Sequence, residues 1–442
     1  FSSVRNVITN GKIRFSAGSL GNQQVSNYYY LTKVSSDNTM SYTFDRSSKA
    51  AYSSVSAPVS SGLTWETVTT YDLGLDLNFL DNRLSFVGDY FIRDTKDMLT
   101  ASVELPATYG ATSPKENCAN LRTKGWEISI DWKDSFKLLG KQATYSVSLG
   151  IGDNKTVITK YYNPTGTLSS NYKGKTLGDM WGYRIDGLFQ SDEEAAEYMS
   201  RIDSHEIQPG PYQALSSSLG TGLKAGDPKF RDLNGDGKIT SGAGTLDDPG
   251  DREIIGNSRP RFPYSFRLGF NWAGLDISAF FQGIAHQDWY PTGAYGGSAF
   301  WGPYSYSEVS FIAKDFMGRV YDPETNPDGY FPRPRAFASY SSGNYNLGLG
   351  QRNDRYMQNI GYLRFKNLTV GYTLPESLTR KFYVSRLRVF FTGENLYYWS
   401  PLKKYCTTID PELANASSLN TDNTGIGYLY PKTLSFGVDV TF

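Results

Sequence analysis

The chain has 442 residues, with 44 basic against 44 acidic side chains, 39% hydrophobic and 15% aromatic content. That balance excludes the electrostatic footprint of a nucleic-acid binder, and no apolar run approaches the ~18 residues of a membrane-crossing helix. Neither exclusion touches a membrane barrel, whose strands are about ten residues long and apolar on one face only.

Side chains alternate faces along a strand, so period-two patterning is the signal to follow. Ile13, Phe15 and Ala17 alternate with Arg14 and Ser16. Tyr71 to Phe79 repeats the pattern against Asp72, Gly74 and Asp76. Trp126, Ile128, Ile130 and Trp132 alternate with Glu127, Ser129 and Asp131, and Ala143 to Leu149 with Thr144, Ser146 and Ser148. The clearest run is Phe262, Tyr264, Phe266, Leu268, Phe270 and Trp272, set against Ser265, Arg267, Gly269 and Asn271. Near Lys366-Asn367 the phase slips by one, from Leu363/Phe365 to Leu368/Val370/Tyr372, which predicts a β-bulge. The chain ends on Leu434, Phe436, Val438, Val440 and Phe442, alternating with small and polar residues.

Short and long connections alternate between these strands. Asp81-Asn82 and Ala273-Gly274 are turn signals, and the links at 134–141 and 375–385 are short. Long links fall at 21–64, 98–121, 152–259, 287–355 and 399–430. A membrane barrel has this asymmetry, because one rim is trimmed to turns while the other carries loops. Trp126 with Trp132, and Phe262 with Trp272, set aromatics at both ends of an apolar face, as interfacial girdles do. Arg14, Asp72, Asp76, Asp89, Glu127, Asp131, Arg267, Arg386, Arg388 and Asp439 then face a wet interior. The fold class is all-β, a transmembrane antiparallel β-barrel.

The loops carry the chemical signals. Ser191-Asp-Glu-Glu194 predicts a capping box opening a helix to Arg201. Gly174-Lys175-Thr176 lacks the upstream glycine and the strand-to-helix setting of a phosphate loop. Asp232, Asn234 and Asp236 at positions 1, 3 and 5, Gly237 at 6 and the Lys238 carbonyl at 7 predict a structural Ca²⁺ loop. Position 12 is Ala243, so the closing carboxylate comes later, from Asp247, Asp248 or, preferred here, Asp251. A metal-free Gly/Asp turn is the other reading. The 287–355 loop holds Trp289, Tyr290, Trp301, Tyr304, Tyr330 and Phe331, which either stack on a ligand or partner or pack the loop upon itself. Cys118 and Cys406 pair or stay free. With only His205 and His286, and no HExxH, GxSxG or CxxC, nothing suggests an enzyme.

Several segments stand out together along the chain: Lys12-Ile-Arg-Phe-Ser-Ala-Gly18, Asp89-Tyr-Phe-Ile-Arg-Asp94, Leu105-Pro-Ala-Thr-Tyr-Gly110, Lys124-Gly-Trp-Glu127 and Trp181-Gly-Tyr-Arg-Ile-Asp-Gly187. Gly226-Asp-Pro-Lys-Phe-Arg-Asp-Leu-Asn-Gly-Asp-Gly237, Asp251-Arg-Glu-Ile-Ile-Gly-Asn257 and Gly393-Glu-Asn-Leu396 follow. In this order the set resembles the C-terminal part of SusC-like (SusC/RagA) TonB-dependent transporters of Bacteroidetes outer membranes. The resemblance implies a barrel of about 22 strands, about ten of them in residues 1–442, embedded in outer-membrane lipid. The plug, its TonB-contacting segment and the first strands would lie in the remainder of the protein, since free edges are intolerable in a bilayer. It implies TonB-dependent import of oligosaccharides or peptides beneath a SusD-like surface lipoprotein lid. Under it, Trp289, Tyr290, Trp301, Tyr304, Arg267, Arg386 and Arg388 are candidate ligand or lid contacts. The alternatives are a passive porin or self-closed ten-stranded barrel, and a secreted Ca²⁺-stabilised glycan-binding β-protein.

Overall fold

The computed structural model describes residues 7–22, 30–37, 51–56, 58–60, 62–101, 108, 113–209, 222–291, 318–333, 348–414 and 430–442. Ten strands form one sheet: β1 (Ile8–Asn22), β2 (Glu66–Phe79), β3 (Leu84–Ala101), β4 (Lys115–Leu138), β5 (Lys141–Lys160), β6 (Arg261–Trp272), β7 (Leu275–His286), β8 (Tyr362–Thr373), β9 (Arg386–Trp399) and β10 (Thr433–Thr441). Each pairs antiparallel with its neighbour in sequence, so the sheet is an uninterrupted meander.

The register sorts side chains onto two faces. On one, Arg14 lies opposite Gly74, Gly74 opposite Asp89, Asp89 opposite Glu127 and Glu127 opposite Gly152. That line continues through Gly150, Ser265, Gln282, Arg364 and Tyr398. On the other face, Phe15 lies opposite Leu73, Leu73 opposite Tyr90 and Tyr90 opposite Trp126. Phe266, Phe281 and Phe365 stack across three strands with centroids 4.4 and 4.3 Å apart. This second face is bare: Phe15 is 72% and Phe436 84% exposed. A contiguous apolar sheet face on this scale is untenable in water and at home in hydrocarbon. Among the described residues no helix is long and apolar enough to cross a membrane.

Leu139 and Gly140, and Ala273 and Gly274, adopt the left-handed conformations of tight hairpin turns. The Asp81-Asn82 turn is wider, with Leu80 also left-handed. The expected bulge is present, as a register shift between Phe365 and Asn367. Four expected strand limits fall short. β3 runs on to Ala101, β4 begins at Lys115 and ends at Leu138, and β5 reaches Lys160. Apolar alternation marks where a strand touches lipid, whereas backbone pairing continues beyond it into water.

The dry core is in the loops. Tyr183, Phe230, Trp289, Phe331, Tyr356 and Leu402 belong to one buried cluster drawn from the connections after β5, β7 and β9. Helix α1 (Asp192–Arg201) begins as the sequence predicts, with Ser191 Oγ accepting the Glu194 N–H at 3.1 Å. The Glu194 carboxylate accepts from the Gln190 N–H one residue earlier than a capping box requires, and Tyr198 packs edge-on against Phe189. No disulfide joins Cys118 and Cys406.

Candidate functional site

The polar face of the sheet is the candidate site, and its charges are organised by ladder geometry. Arg14 on β1 bonds Asp76 at 2.8 Å and Asp89 at 2.8 Å, reaching Asp89 past Gly74 on the strand between. Arg388 on β9 repeats the arrangement, binding Asp276 on β7 at 2.7 Å past Gly371 and Asp439 on β10 at 3.1 Å. A Cβ on Gly371 would lie 2.5 Å from Arg388 Nη2 and 2.6 Å from Asp276 Oδ1. Glycine is the residue that leaves room for a guanidinium lying across the intervening strand.

Further toward the long loops lies a cavity of about 700 Å³ whose lining includes Asp89, Glu127, Ser129, Ser265, Gln282 and Tyr362. Carboxylates, hydroxyls and an amide here suit hydrogen bonding to a hydroxyl-rich or amide-rich solute. Above it sits a buried ionic knot. Arg364, 2% exposed, pairs with Asp410, 3% exposed, and through Nε with Glu412 at 2.8 Å. Lys366 joins Glu412 at 2.9 Å, and Gln282 Nε2 donates to the same carboxylate at 3.3 Å. Tyr398 and Tyr430 hold their rings 5.0 and 5.3 Å from the Arg364 guanidinium. The 400–414 segment is thereby fixed over the polar face. Arg364 was legible as a polar-phase residue of its strand; Asp410 and Glu412, in a loop, gave no signal.

The other candidates are scattered. Arg267 lies 5.4 Å over the Phe280 ring, with no ion pair among the described residues. Arg386 is exposed at the start of β9, opposite Thr441. Trp289 and Tyr290 are 3% and 4% exposed, within the loop core. Of the two readings of these rings, their burial fits the one in which they pack the loops together, and both also line a cavity of about 350 Å³. Tyr290 OH donates to the Leu349 carbonyl at 2.6 Å. Trp301 and Tyr304 lie outside the described residues.

The Asp232–Lys238 turn is wound by its own side chains. Asp232 accepts the N–H groups of Gly235 and Gly237, Asn234 that of Asp236, and Asp236 that of Lys238. Asp251 is fully buried and accepts from Leu233 N at 2.8 Å and Thr240 N at 2.7 Å. Burial pushes its carboxyl above the usual range, against the pull of those donors. Asp251 reaches the loop but spends both oxygens on backbone, and among the described residues no three acidic, His or Cys side chains are gathered as a metal cage. The residues fit a cation in part: the three spaced donors share one turn, and the closing carboxylate is turned to the backbone.

No protein-family model matches the chain. TonB-dependent receptor P3 of Formosa agariphila is 27% identical over 465 residues, spanning 100% of this chain and 40% of that protein. TonB-dependent receptor SusC of Bacteroides thetaiotaomicron is 24% identical, over 98% of this chain and 37% of its own length. Among solved structures, the RagAB peptide importer in its open-open state superposes with a TM-score of 0.65 at 20% identity, over 99% of this chain and 40% of that one. The chain thus spans about two fifths of the length of these relatives.

Proposed function

We propose, on the premise that this chain is kin to the SusC-like TonB-dependent transporters, that it forms part of the wall and loop cap of an outer-membrane importer. The observation that carries the reading is the ten-strand meander with one continuous polar face and one continuous apolar face. The apolar face meets lipid and the polar face lines the path of an oligosaccharide or peptide. The loop core forms a rigid platform on which a SusD-like lipoprotein docks, and transport is driven through TonB acting on the plug. The role is transport rather than enzymatic conversion.

The test is uptake of labelled oligosaccharides and peptides by cells carrying the full-length protein, with and without a proton uncoupler. Import abolished by the uncoupler supports the reading. Import indifferent to it favours a passive pore.

A second reading concerns the Asp232–Asp251 turn. A Ca²⁺ ion held by Asp232, Asn234, Asp236 and the Lys238 carbonyl would stiffen the loop, with Asp251 bracing it from behind. The sequence spacing supports this.

A further inference from the structure

The outward face of the sheet carries a group of unneutralised cations immediately beyond its aromatic belt. Register places Tyr90, Trp126 and Asp153 in line across β3, β4 and β5, and Trp126 lies 6.3 Å from Phe262. Two residues nearer the long loops, on the same face, the line reads Ile92, Lys124, Lys155. At ~3.3 Å per residue, this is roughly 7 Å past the tryptophan. Lys124 and Lys155 are directly opposed and exposed, an arrangement that costs stability unless something anionic lies between them.

Among the described residues no acidic side chain meets that need. Asp94 is bound by Arg122 at 2.7 Å, with Lys96 and Lys124 also acting on it through space. Asp153 is bound by Arg261. Lys96, Lys124, Lys155 and Arg259 are exposed and have no ion pair among the described residues. Beside Lys155 a cavity of about 260 Å³ opens, lined by Asn154, Thr156, Asn257, Arg259 and Arg261 as well. It lies where the chain at Leu177 bonds the edge of β5, its N–H donating to Thr156 O at 2.9 Å, close to the start of β6.

We propose that this patch binds the phosphorylated headgroup of a membrane lipid. The inference rests on the membrane-barrel reading above. Aromatic belts sit at headgroup level, so ammonium groups one step beyond them stand where lipid phosphates are. A phosphate between Lys124 and Lys155 turns their repulsion into two charge-assisted hydrogen bonds, and Arg259, exposed in the lining of the cavity beside Lys155, adds a guanidinium. Cargo on the polar face cannot reach the Lys124 and Lys155 ammonium groups, because the sheet stands between.

The test is native mass spectrometry of the full-length protein in mild detergent. The probes are bisphosphorylated lipid A, the same lipid stripped of phosphate, and inorganic phosphate. The expected result is retention of the bisphosphorylated lipid only, weakened about tenfold in the Lys124→Gln/Lys155→Gln double variant and separately weakened by Arg259→Gln. Equal binding of the dephosphorylated lipid, or unchanged retention in the double variant, overturns the proposal. Displacement by free phosphate at matching concentration also overturns it, assigning the patch to a soluble anion. Detergent-phase recovery and heat-modifiable gel migration are read on the same samples. If the wild-type protein lacks both, the barrel reading itself has failed and the patch falls with it; if both are normal, a negative result condemns the patch alone.

Discussion

The Arg388 guanidinium binds both oxygens of Asp276, with Nε at 2.9 Å and Nη2 at 2.7 Å, although a whole strand separates the two residues. It does so across Gly371, and Arg14 meets Asp89 across Gly74 in the same way. Two ion pairs at opposite ends of the sheet therefore depend on a side chain being absent between them.

Gly371→Ala is expected to break the Arg388–Asp276 pair and lower stability in lipid by about 1–3 kcal/mol, the usual cost of overpacking. Gly18→Ala is the control, because a Cβ there has nothing within 4 Å. Urea unfolding of both variants in bilayers checks this; equal midpoints would refute the account.

Arg364→Met leaves Asp410 buried without its counter-charge, a change worth roughly 3–5 kcal/mol. The measurable consequence is protease cleavage within 400–414 at concentrations that spare the wild type. Adding Asp410→Leu removes the stranded charge and is expected to restore much of the resistance. If the double variant is cleaved as fast as the single one, the knot does not hold the loop.

Helix α1 gives a pH signature. Burial raises the Glu194 carboxyl, but Lys229 Nζ at 2.7 Å and the Gln190 N–H outweigh it, and the net shift is downward. A depressed carboxyl contributes stability that is full above its unfolded value of 4.5 and is lost as pH falls through the folded value. Protection factors across 192–201, with the intrinsic exchange rate divided out, are expected to fall in acid, and Glu194→Gln to flatten that response. Ser191→Ala weakens the helix by about 1 kcal/mol at every pH.

Calcium binding at the Asp232 turn predicts that adding Ca²⁺ slows amide exchange across 232–251, by RT ln(1 + [Ca²⁺]/Kd) in opening free energy. Asp232→Ala abolishes that response. Exchange indifferent to Ca²⁺ and to chelator alike assigns the turn to its own hydrogen bonds.

The sheet was legible because its two faces meet different solvents, so residues such as Phe266 and Arg267 had to differ in kind. The bulge at Asn367 showed for the same reason, since a one-residue slip exchanges the faces. Where β4 and β5 rise past Trp126 the contrast ends, and the pairing of Arg122 with Val157 left no trace in the pattern. The site was less legible still. Arg388 could be placed on the polar face, but its partner Asp276 depends on the register of β7, β8 and β9 together. Trp289 reads identically whether its ring is offered to a ligand or buried, because burial is decided by loops distant in sequence.

The placement of the dry core has a thermal consequence. Apolar side chains on the sheet rest against hydrocarbon rather than water, so their packing contributes little to the heat-capacity change of unfolding. That change comes from surface taken out of water, which here is the cluster built from Tyr183, Phe230 and Tyr356. A calorimetric scan of this chain in its bilayer therefore weighs the cap and is nearly blind to the wall.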